Sequence, residues 1–138
     1  KTGPGHNDFS EPEKIYLKPS EGAVWLRPVI VLTNRSVYSA ANHFVMLMKE
    51  LPNTLILGDK TGGGSGLPMS YTLPNGWVVR MSACPTLDKQ GNSTEFGIEP
   101  DLKIDITSDD WNNGRDTMIE TAKKIILEYY EKKEEQQE

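Results

Sequence analysis

Val29-Ile-Val-Leu-Thr-Asn-Arg-Ser-Val-Tyr-Ser-Ala-Ala-Asn-His-Phe44 is the stretch on which the reading of this chain turns. The β-branched run from Val29 to Leu32 has the composition of a strand covered on both faces, and Ala40 to Met48 carry apolar side chains at helical spacing. The junction leaves Ser39 at or just inside a helix N-terminus. There, unpaired backbone N–H groups and the positive end of the helix dipole can hold negative charge on an oxygen. Two readings of Ser39 stand side by side: a helix cap, the common employment of serine in that place, or a nucleophile on a sharp strand-to-helix turn. Ser36 is a rival hydroxyl in the same turn.

Working outward, the helix is predicted to run to about Leu51, where Pro52-Asn53 stops it. Phe44, Val45, Leu47, Met48 and Leu51 form a broad apolar stripe suited to packing on a sheet. Thr54-Leu-Ile-Leu57 reads as a second buried strand, which completes a βαβ unit, normally right-handed and parallel. The following Lys60-Thr-Gly-Gly-Gly-Ser-Gly66 holds too many glycines for a helix or strand interior. Met69 to Leu73 and Trp77 to Ala83 flank Asn75-Gly76, a strong hairpin signal. A polar loop, Asp88 to Thr94, leads to Phe96-Gly-Ile-Glu-Pro-Asp101, and Leu102-Lys-Ile-Asp-Ile106 alternates as a final strand. Met118, Ile119, Ala122, Ile125, Ile126 and Tyr129 share one face of a last helix beginning near Arg115, whose charged distal end is expected to fray or project into solvent. Upstream, residues 1–13 read as a turn-rich loop leading into the fold. A short strand is expected around Ile15 to Lys18, with Ala23 to Leu26 continuing it. The organisation is therefore a loop at 1–13, a core at 14–107 and a C-terminal helix with a charged tail at 108–138.

At 138 residues the chain has room for one domain with a true core. Its net charge of −5 and the lack of any basic stripe argue against nucleic acid as a partner. No apolar run approaches the roughly 18 residues that span a bilayer. The single cysteine, Cys84, lies in a strand-like run and reads as a small buried hydrophobe. Nothing in the pattern calls for a metal or cofactor. A chain opening on Lys1 reads as part of a longer or processed protein.

Taken in order, Thr33-Asn34, Ser36-Val-Tyr-Ser-Ala-Ala41, Leu55-Ile-Leu-Gly58, Thr61-Gly-Gly-Gly-Ser-Gly66, Asn75-Gly76 and Gly97-Ile-Glu-Pro-Asp101 resemble the catalytic core of the C-terminal processing peptidase and tricorn-core family of serine peptidases. The resemblance covers about Pro28 to Ile106 and lies in the order and spacing of the motifs. It implies an α/β fold of the ClpP/crotonase type, here its C-terminal part, and hydrolysis of peptide bonds in a peptide or unfolded protein. By the same correspondence Ser39 is the nucleophile and the Ala40 N–H an oxyanion donor. Gly62, Gly63 and Gly64 form a loop that lets a substrate backbone approach.

A serine hydroxyl needs a base. One branch of the family places a lysine where this chain has Gly64, and Lys60 stands four residues too early. The other branch uses a Ser-His-Glu arrangement whose histidine comes from far upstream. Glu95 is the nearest match for its acid, one residue closer to the following glycine than the usual spacing. His6, in the leading loop, and His43, four residues past Ser39, are the histidines present, and neither matches the family's base. An extracytoplasmic site in a bacterium follows from the resemblance alone, and oligomerisation stays open. The other readings are a non-catalytic peptide- or ligand-binding module on the same fold and, more remotely, an acyl-CoA enzyme.

Overall fold

The βαβ unit around Ser39 forms the centre of the structure, a computed structural model that describes residues 2–5 and 7–135. Strand β1 (Val29–Thr33) leads into helix α1 (Ala40–Lys49), and the chain returns as β2 (Thr54–Gly58). The two strands pair in parallel, Val29 opposite Thr54 through Thr33 opposite Gly58. Helix α1 ends as the Glu50 N–H turns back to the Leu47 carbonyl and the Leu51 N–H to the Met48 carbonyl, just before Pro52, which cannot continue it.

A hairpin follows, β3 (Gly66–Thr72) against β4 (Val78–Pro85), closed by Leu73 N–H to Trp77 C=O at 2.7 Å across Asn75-Gly76. The last strand, β5 (Leu102–Lys103), pairs with β2, so the parallel sheet runs β1-β2-β5. Two helices end the fold, α2 (Ser108–Asn112) and α3 (Thr117–Glu135).

The core lies where α1 meets the central strand: Val45, Ile56 and Leu57 are its buried apolar residues. On α1 only Val45 and Asn42 are buried. Phe44, Leu47 and Leu51 of the predicted stripe are exposed. Helix α3 lies against β1 and β2, and Ile125, Ile126 and Tyr129 face the starts of these strands across an open groove. The helix continues to Glu135 although nothing apolar anchors it beyond Tyr130, helped by Lys124 and Glu128 one turn apart.

Several expectations are corrected. Residues 15–26 form no strand, because a strand requires a partner ladder and these lie against none; Ile15, Tyr16, Leu17, Trp25 and Leu26 stand in solvent. Strand β1 is an edge strand and is only partly covered, with Leu32 exposed. The predicted strand to Ile106 stops at Lys103, opposite Gly58 where β2 ends, and one further bond, Ile104 N–H to Gly58 C=O at 3.0 Å, completes the contact. Cys84 is exposed, since among the described residues no other strand is bonded to the two-stranded hairpin that carries it. The same absence leaves Met69 and Tyr71, paired with Met81 and Val79, as an open apolar face. Helix α2 was not expected; the Thr107 hydroxyl caps it by accepting the Asp110 N–H at 3.1 Å, and Asp109 and Asp110 suit its first turn.

Candidate active site

Ser39 occupies the cap position of α1 without acting as a cap. Its side chain makes no capping hydrogen bond, and its backbone sits at φ 58°, ψ −119°. Among the described residues it is the only non-glycine with positive φ. An L-residue held there is strained by about 1–3 kcal/mol, and such strain concentrates at functional positions. The strain has a visible cause. Val37 C=O accepts Gly62 N–H at 2.8 Å and Ser39 N–H donates to Gly63 C=O at 2.8 Å, so the chain is pinned to the glycine loop on both sides of Tyr38. The helix must then begin abruptly, with His43 N–H already bonded to Ser39 C=O at 3.0 Å. The result leaves Ser39 exposed at the C-terminal end of the parallel sheet, where open α/β sheets place their ligands.

Ala40 is the first residue of α1, so its N–H belongs to the unpaired first turn. The turn's own bonds come from its neighbours, Ser39 N–H and Ala41 N–H, the latter to Tyr38 C=O at 3.2 Å. An N–H next to the serine and aligned with the helix dipole is a suitable oxyanion donor.

The glycine loop touches both Ser39 and the segment bearing Glu95. Gly63 C=O holds Ser39 N–H, and Gly64 N–H donates to Glu95 C=O at 2.8 Å. The loop's glycines make these close approaches sterically allowed. A β-carbon on Gly63 would lie 2.1 Å from the Glu95 carbonyl oxygen, and one on Gly64 would meet the Tyr38 ring; both residues also have positive φ. On Gly62 it would strike the Arg35 carbonyl at 2.3 Å. Ser39, Ala40, Gly62, Gly63, Gly64 and Glu95 are thus brought together.

The other candidates are not. Ser36 is exposed in the turn, its N–H accepted by the Asn34 side chain at 2.8 Å. Lys60 is turned to Glu99 at 3.0 Å. His43 is exposed on α1, and His6 lies outside the described residues. Nearby, the Lys60 N–H, together with Lys103 and Arg35, holds the Asp59 carboxyl below its ordinary range against partial burial. Asp101 clamps β2: its N–H donates to Ile56 C=O at 2.8 Å and its carboxylate accepts Ile56 N–H at 2.9 Å. Burial raises the Asp101 pKa, but the Lys49 ammonium at 2.7 Å and the Ile56 N–H outweigh it and bring it below the usual value. No group of three or more histidine, cysteine or acidic residues able to hold a metal occurs among the described residues.

Sequence reasoning missed Asn42, which is wholly buried one turn past Ser39. The available signal was its place three residues before Val45, a polar residue on the inward face of the helix.

Known proteins share this arrangement. A solved structure from Parabacteroides merdae, provisionally described as a peptidase, superposes with a TM-score of 0.86 at 58% identity, over 89% of this chain and 39% of that one. The tricorn protease matches in fold, with a TM-score of 0.63 at 24% identity, over 73% of this chain and 10% of the other. The architecture is an α/β core of the ClpP/crotonase type. A family model for Peptidase family S41 matches residues 5–104: the chain belongs to that family. A tricorn protease homolog of Saccharolobus solfataricus is 28% identical over 102 residues, 72% of this chain. The chain spans between 10% and 20% of the length of the curated relatives it matches. No described helix is long and apolar enough to cross a membrane.

Proposed function

We propose that this chain carries the nucleophile of a serine endopeptidase whose active centre is completed by other parts of a longer parent protein. Ser39 Oγ attacks the carbonyl carbon of a peptide bond while a histidine from an upstream segment takes the hydroxyl proton. Glu95 orients that histidine. The oxyanion of the tetrahedral intermediate is held by Ala40 N–H and by a second donor outside this chain. Collapse of the intermediate breaks the C–N bond as the histidine returns its proton to the departing amine, and water then hydrolyses the acyl-enzyme. Gly62 to Gly64 border the place where an extended substrate would lie. An extracytoplasmic location of the parent belongs to the same proposal.

The observation that carries this reading is the backbone of Ser39, strained and uncapped at a strand-to-helix turn. The test is labelling of the full-length parent with a fluorophosphonate. Adduct on Ser39, lost in Ser39→Ala and kept in Ser36→Ala, is the expected result. A folded parent that binds peptides but gives no adduct and no cleavage would instead be a binding module.

A further inference from the structure

Asn42 is 0% exposed, in a position where a helix normally buries an apolar side chain. Burying an amide is unfavourable unless its hydrogen bonds are met, and here all are. Its Oδ1 accepts from Thr61 Oγ1 at 2.5 Å; its Nδ2 donates to Ser65 Oγ at 2.5 Å and to Thr94 C=O at 3.0 Å. The orientation of the amide is forced. A carbonyl only accepts, so Thr94 must face the NH2 group. The Thr61 hydroxyl already accepts Ile98 N–H at 2.7 Å, which leaves its single proton for Oδ1.

The three segments that meet at Asn42 are the segments that build the candidate site. Asn42 lies in the first turn of α1 with Ala40, directly after the cap residue Ser39. Thr61 and Ser65 bracket the run from Gly62 to Gly64. Thr94 adjoins Glu95. Thr61, Ser65 and Thr94 are themselves buried, and with Asn42 they make up four of the five buried polar residues among the described residues, so this network is nearly the whole polar interior described.

We infer that Asn42 is a positioning residue for Ser39 and Glu95: one amide fixes the spacing between the nucleophile's turn, the glycine loop and the acid-bearing segment. The inference rests on the serine-peptidase reading of Ser39. It explains why an asparagine is needed. Aspartate keeps the shape and the acceptor toward Thr61 but has no NH2 for Thr94, and in its ionised form it faces a carbonyl oxygen. Protonated aspartic acid can donate one hydrogen bond there. The titratable groups on the packed segments are Lys60, which is paired with Glu99, Glu95 and the neighbouring His43; none of their charged ends is bonded to Asn42.

The test uses the full-length parent and the rate at which a fluorophosphonate labels Ser39. Misplacing reacting groups by about 1 Å can cost about 100-fold, and Asn42→Ala should slow labelling by roughly 10- to 100-fold with the far-ultraviolet spectrum unchanged. Asn42→Asp should be slow at neutral pH, and its rate relative to the unmutated protein should recover as pH falls. A purely structural role would return the rate only together with the folded fraction, so the recovery is read with the far-ultraviolet spectrum unchanged across the pH range. Should Asn42→Ala not fold, Thr61→Val removes only the hydroxyl's bonds and should slow labelling by about tenfold. Full-rate labelling in the folded Asn42 or Thr61 variants would overturn the inference. Absence of labelling in the unmutated protein would instead sink the peptidase reading itself.

Discussion

Replacing Ser39 by glycine should destroy activity and at the same time stabilise the protein. The mirror image of φ 58°, ψ −119° is φ −58°, ψ 119°, an ordinary extended conformation, and glycine, having no β-carbon, adopts both about equally. Ser39→Gly therefore releases about 1–3 kcal/mol of backbone strain. Against this stands the greater freedom of glycine in the unfolded chain, about 0.4–1 kcal/mol. The net expectation is a gain of about 0 to 2.5 kcal/mol, centred near 1 kcal/mol. Ser39→Ala keeps the strain and loses no capping bond, so it should fall within about 0.5 kcal/mol of the unmutated protein. A capping serine behaves oppositely: alanine in its place costs about 1 kcal/mol. Urea unfolding of the parent protein and its two variants reads the difference as a shift of midpoint at constant slope. The order Gly above Ser, with Ser and Ala level, is expected. Loss of about 1 kcal/mol in Ser39→Ala, or a net loss in Ser39→Gly, would refute the assignment of Ser39 as a strained, uncapped residue.

Other perturbations test the surrounding frame. Gly63→Ala forces a β-carbon against the Glu95 carbonyl at 2.1 Å and should cost at least about 2 kcal/mol while slowing Ser39 labelling. Thr107→Ala removes the cap of α2 and should cost about 1 kcal/mol with labelling unchanged, read by the same unfolding assay. Asp101 contributes stability through a lowered pKa, so its contribution is complete above its ordinary value of 3.8 and is lost as pH falls through the lower folded-state value. Asp101→Asn should lower stability at neutral pH, and the gap to the unmutated protein should close in a pH titration of stability only below about pH 4.

Much of this fold was legible because its signals are local. Val29 to Leu32, Ala40 to Met48 and Thr54 to Leu57 each carry their periodicity within a few residues, and Asn75-Gly76 marks its hairpin directly. What was misread depended on neighbours. Ile15 to Lys18 has the composition of a strand but no edge to join, and Cys84 sits in a hairpin with no further strand paired to it among the described residues. The place of Ser39 at the strand-to-helix turn was readable and its conformation was not: nothing in the letters around it gives φ 58°. Asn42 escaped because its partners stand 19, 23 and 52 residues away along the chain, beyond any local pattern.

Tyr38 lies where a side chain on Gly64 would have to go: a β-carbon there would fall within 2.0 Å of the ring. The two positions are therefore rivals for one volume. Gly64 is also where the resemblance puts the lysine base of the other branch, so on this backbone a side chain there requires the exposed Tyr38 ring, just before Ser39, to turn aside. Across relatives the two sites should change together, a small residue before the serine accompanying the lysine and a bulky one accompanying glycine. Exchange of Gly64 for a larger residue would therefore carry a second change with it, a turned or smaller side chain at position 38.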